Sequence, residues 1–122
     1  MNAVQKILLG SFLCLTQVTL IQAAAPRNDI DASTSALVDV CKNASDSDAQ
    51  NFCFGFGEGV YQAYLANRSA NAKSFICFKE AGSSREMILQ EFLVWTQNHP
   101  QFNQERAAKA LMRFFTQAYP CK

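Results

Sequence analysis

The groups in this chain with the most chemical potential are four cysteines and one histidine. Cys41, Cys53, Cys77 and Cys121 are separated by twelve, twenty-four and forty-four residues. As free thiolates they would be nucleophiles or zinc ligands. Structural zinc sites draw on closely spaced cysteine pairs, and no Cys-x-x-Cys pair occurs here. An even set of cysteines in a small exported domain reads instead as two disulfides. A bonded sulfur is not a thiolate, so these nucleophiles are withdrawn from catalysis. His99, the only histidine, precedes Pro100 at an expected helix end, where an imidazole suits the last carbonyls and the dipole. With no free cysteine it lacks the partner that a nucleophile-activating base needs. Asp46 and Asp48 sit at an expected helix start, where carboxylates favour the dipole, and Glu86 and Glu91 share no helical period. Gly55-Phe56-Gly57-Glu58-Gly59 has neither the preceding strand nor the spacing of a phosphate loop. We expect no catalytic residue, no metal and no cofactor, and therefore a binding protein, not an enzyme.

Disulfides imply export, and the N-terminus carries the matching signal. Lys6 is the only charge before Arg27, Ile7 to Leu15 is nearly all apolar, and Ala23-Ala24-Ala25 follows. A basic start, a short apolar run and small residues describe a cleaved signal peptide over residues 1–24. Thr16, Gln17 and Thr19 make the run too polar and short for a good membrane span. Cys14 lies inside it, after Leu13, and is expected to leave with the signal. Residues 25–122 are expected to form one exported domain. Setting Lys6 aside leaves ten basic residues against ten acidic ones. A neutral domain has no electrostatic reason to seek nucleic acid or an anionic membrane.

The elements that position the cysteines are helical by pattern. Residues 26–33 are polar and aperiodic, a loose arm. A first helix fits Thr34 to Lys42, capped by Ser33. A second begins near Ser47 or Asp48 and runs to about Asn67, with Phe52, Phe56, Val60 and Tyr64 as one stripe and Phe54, Tyr61 and Leu65 as another. Residues 68–80 form a connection, with one possible ordered turn at Ser74–Cys77. Ser83 and Glu86 have capping-box spacing, Ser84 is a competing cap, and the third helix runs to Asn98 before Pro100. The fourth covers about Gln104 to Tyr119, capped by Asn103. The fold class is all-α, a small bundle of four main helices stapled by two disulfides.

Neighbouring helices with short loops pack antiparallel. That geometry favours Cys41–Cys53 with Cys77–Cys121, while Cys41–Cys121 with Cys53–Cys77 stays open as a rival. Gly55 and Gly59 share one face of the second helix, and their use would be close approach of a backbone or ring. Helices three and four carry more apolar residues than one small core needs, which points to a partner or a homodimer. Two acceptor sequons, Asn43-Ala44-Ser45 and Asn67-Arg68-Ser69, matter only in a eukaryotic secretory route.

Cys53-Phe54-Gly55-Phe56-Gly57-Glu58-Gly59-Val60 resembles the C-x-G-Y-x-x-G-V motif of Rap/Tai-type immunity proteins. Phe75-Ile76-Cys77 is similar to that family's central F-C element. Pro100, Ala107-Ala108, Ala110-Leu111 and Ala118-Tyr119-Pro120-Cys121 resemble its C-terminal pattern. Phe56 stands where the family usually has tyrosine, and Phe78-Lys79 where a proline is common nearby. The resemblance implies an all-helical, periplasmic, often dimeric protein that inhibits a peptidoglycan amidase toxin delivered by type VI secretion. It also implies occlusion of the toxin's cleft by a surface loop and a helix face. Here these are the loop Lys79-Glu80-Ala81-Gly82-Ser83-Ser84-Arg85, with Arg106, Lys109 and Arg113 as flanking contacts. An envelope or acid-stress chaperone is the alternative function.

Overall fold

The computed structural model describes residues 31–79 and 82–122. The signal segment 1–24, Cys14 and Glu80 lie outside the described residues. Four helices follow in order: α1 (Thr34–Cys41), α2 (Ser47–Ala66), α3 (Arg85–Asn98) and α4 (Ala107–Ala118), with a 3-10 turn at Pro100–Phe102 before α4. Three helices start on side-chain caps. Ser33 accepts from the Ala36 N–H, Asp46 from Asp48 and Ala49, and Ser84 from Met87. Each cap satisfies donors that the first turn leaves unpaired. Of the two serines before α3, Ser84 is the cap.

The start of α4 differs from the sequence expectation. The helix begins at Ala107 behind Arg106, not at Gln104 behind Asn103, and Arg106 makes no side-chain cap. Long-range bonds explain the delay. The Ser35 N–H donates to the Asn103 carbonyl, Thr34 N–H to Glu105, and Ala107 N–H to Ala32. Residues 103–106 are thereby drawn onto the N-terminus of α1 before they can join a helical turn, and Ser33 and Arg106 form an isolated antiparallel bridge.

A second departure lies between α2 and α3. Residues 74–77 are not a helical turn. Ile76 pairs with Pro120, and the Cys77 N–H donates to the Tyr119 carbonyl over 2.8 Å. The segment is extended because its polar groups are satisfied by the chain after α4. Tyr64 fastens the same connection to α2: its hydroxyl lies 3.0 Å from the Ser74 hydroxyl and accepts from the Phe75 N–H.

Both disulfides are present, Cys41–Cys53 between α1 and α2 and Cys77–Cys121 between the α2–α3 connection and the segment after α4. The core is built from α1, α3 and α4, with Leu37, Phe92, Leu111, Phe114 and Phe115 all buried. The twenty residues of α2 supply only Cys53 as a fully buried side chain. No helix among the described residues is long and apolar enough to cross a membrane.

Candidate binding surface and cavity

The predicted contact loop has two fixed feet. At one, Cys77 is held by its disulfide and by the bond to Tyr119, and Phe78 packs edge-on against Tyr61 and Phe115, with their ring centroids 4.9 and 5.4 Å from its own. At the other, Ser84 caps α3. Between them Gly82 adopts φ 107°, a left-handed conformation that side chains resist. Lys79 and Gly82 are exposed, and Ser83 is half-buried. Arg85 lays its guanidinium over the Phe54 ring, 4.6 Å from the centroid, and its Nε donates to Glu86 over 2.9 Å.

Arg106, Lys109 and Arg113 stand elsewhere. Phe78, at the loop's foot, packs against Phe115 and Tyr119 at the C-terminal end of α4. Arg106 and Lys109 belong to its N-terminal end, and the twelve residues between the ends span roughly 18 Å. Arg106 and Lys109 therefore lie at the opposite end of α4 from the foot of the loop. Two of the cations are also committed to a clamp. Glu105 accepts from Arg113 Nε and Nη2 at 2.9 and 3.1 Å and from Lys109 Nζ at 2.9 Å. Its side chain is largely covered while both cations are more exposed. These hydrogen bonds, Arg113 first, hold the Glu105 carboxyl down to about 2. Arg113 also covers the Phe102 ring, 4.9 Å from the centroid.

Gly55 and Gly59 do not receive a close neighbour within the chain. A Cβ built at either meets nothing within 4 Å. The reason is the placement of α4, which turns Leu111, Phe114 and Phe115 into the core and offers the glycine face only Ala108 and Met112 across an open groove. Phe52 stands beside that groove with 54% of its surface exposed. On α3, Met87 and Val94 are exposed as well, whereas none of the exposed large apolar side chains lies on α4, so the excess expected on both helices is found on α3 only.

Trp95 stacks on His99 with centroids 4.4 Å apart, and His99 Nδ1 lies 2.7 Å from the Trp95 carbonyl. That bond caps the end of α3, the structural role expected for this imidazole. On α4, burial and the neighbouring Glu91 carboxylate push the Tyr119 phenol up, and its hydroxyl donates to Glu91. No group of three histidine, cysteine or acidic side chains among the described residues is placed to hold a metal.

One feature escaped the sequence reading. A cavity of about 280 Å³ opens between α2 and α3 and runs down to the Cys41–Cys53 bridge. Gly57, mid-helix on α2, lines it. A helical glycine with no neighbour to accommodate is the signal that could have pointed there.

A family model described as Rap1a immunity proteins matches residues 33–121, from the cap of α1 to the last cysteine. No curated protein and no solved structure matches the chain.

Proposed function

From the membership of this chain in the Rap1a immunity protein family, we propose that it protects its producer by binding and inhibiting a peptidoglycan amidase delivered by type VI secretion. The family match along both disulfides and all four helices carries the reading: an immunity protein for a secreted toxin. The amidase target and a periplasmic site of action extend it. The export-type N-terminus and two disulfides, which persist in oxidising compartments, support the site of action, while the amidase target rests on the motif resemblance alone.

For the contact surface we favour the loop end, with Lys79, Gly82, Ser83 and Arg85, over the cations of α4. A loop held at Cys77 and Ser84 loses little conformational freedom on binding, so more of its contact energy becomes affinity. Arg113 and Lys109 are engaged with Glu105 and would have to leave it to reach a partner. A homodimer fits the open face of α2. Phe52 and Phe56 project beside Gly55 and Gly59 on one helix, so a two-fold axis would set the rings of each copy against the glycines of the other.

The test is co-expression with an amidase encoded beside this gene, both directed to the periplasm. Restored growth and a stoichiometric complex on size exclusion are expected, both weakened by Arg85→Glu. Lysis unchanged by co-expression, with no complex, overturns the reading for that toxin class.

A further inference from the structure

We propose that the cavity between α2, α3 and α4 is a binding site for a small amphiphile: one medium-length acyl chain, with its carboxylate at Arg85. Protein interiors are packed like organic crystals, with few voids larger than a water. A void of about 280 Å³ is far above the ~10–15 Å³ that admits a single water. It lies at the lower edge of the ~300–1,000 Å³ range of small-molecule sites, which suits one chain and leaves no room for a two-chain lipid.

The walls define the body of the ligand. Leu37, Phe54, Phe78, Ile88, Phe92 and Phe115 line the space, and Phe92 and Phe115, at 1% and 2% exposed, form part of the core itself. A cleft lined this way offers an apolar wall to an apolar body. The lip defines the head. Glu58, Tyr61, Ser83 and Arg85 are the polar residues of the lining, and Glu58 and Arg85 its charged ones. Arg85 is held at the lip by the Phe54 ring. Its pairing with Glu86 is exposed on both sides, a weak and exchangeable contact. Glu58 accepts from Gln62 Nε2 over 2.7 Å, which draws its carboxylate along α2 toward the next turn. The positive end of α3 begins at the same place. An anionic head is therefore favoured over a cationic one. The lip shares Ser83 and Arg85 with the contact surface favoured above, but ligand binding is tested on the protein alone, without a toxin.

The experiment is calorimetric titration of the purified, disulfide-intact protein with decanoate below its micellar concentration, and with decanol as the uncharged control. Saturable one-to-one binding of decanoate is expected. Gly57→Leu fills the cavity from α2, where an added Cβ meets nothing within 4 Å, and should lose at least about tenfold in affinity while keeping its melting temperature. Should that variant fail to fold, Ile88→Phe narrows the same space from α3 and decides the matter. Arg85→Gln should weaken decanoate by about tenfold and leave decanol unchanged. Absence of saturable binding, or binding unmoved by the filling variants, overturns the site. Equal loss of both ligands in Arg85→Gln overturns the anionic head.

Discussion

The Thr34 hydroxyl donates to the main-chain carbonyl of Glu105 over 2.9 Å, closing a span of 71 residues. The Thr34 N–H donates to the same oxygen over 2.8 Å. Thr34 is wholly buried, so the first turn of α1 is tied to the approach to α4 inside the core. Thr34→Val keeps the shape and the backbone bond and removes only the hydroxyl. It should cost about 1 kcal/mol. Urea unfolding would show a lower midpoint with an unchanged slope.

The Glu105 clamp gives the fold an acid-sensitive joint. The carboxyl is held down to about 2 from an ordinary 4.5. A lowered folded-state pKa means that the contribution is complete above the unfolded value and disappears as protons bind. Stability should therefore fall as pH drops from about 4.5 toward about 2. Glu105→Gln should be less stable at neutral pH and should flatten the profile across that window. An unfolding midpoint measured against pH, wild type beside variant, checks both.

The two bridges should differ in worth. Cys41–Cys53 spans twelve residues and Cys77–Cys121 forty-four. Chain-entropy reasoning assigns about 3 kcal/mol to the shorter loop and about 4 to the longer. Serine pairs at each site, compared by thermal melting, should rank in that order. The serine variant of Cys77–Cys121 should also loosen the extended pairing of Ile76 with Pro120, read as faster amide exchange at position 77, whose N–H donates to Tyr119.

Alanine should act with opposite signs at two kinds of glycine. Gly55 and Gly59 are helical and uncrowded, so Gly→Ala there should stabilise by about 1 kcal/mol. Gly82 has φ 107°, and Gly82→Ala should destabilise by about 1–2 kcal/mol. If a second copy seats on α2, Gly55→Leu should abolish the dimer in sedimentation while leaving the monomer folded.

The sequence carried most of the scaffold because the deciding interactions are local. Ser33 caps its own helix, Pro100 stops α3, and the Phe52 to Tyr64 stripe repeats within α2. The preferred cysteine pairing followed from the antiparallel packing of helices with short connections. What was illegible is what depends on distant chain. The onset of α4 is set by carbonyls bonded to residues of α1, and residues 74–77 are extended because of Tyr119 and Pro120. The glycine face was read as crowded because periodicity shows which residues share a face but not what lies opposite. The separation of Arg106 and Lys109 from the loop end is likewise a property of the packed bundle.

Trp95, the only tryptophan, packs against both His99 and Phe102, whose ring centroids lie 4.4 and 5.5 Å from its own, and its indole N–H donates to Gln117 over 2.8 Å. The molecule therefore carries an intrinsic optical probe at the corner where α3 ends. The fluorescence of the untouched protein thus reports, through a red shift, on the opening of that corner to water.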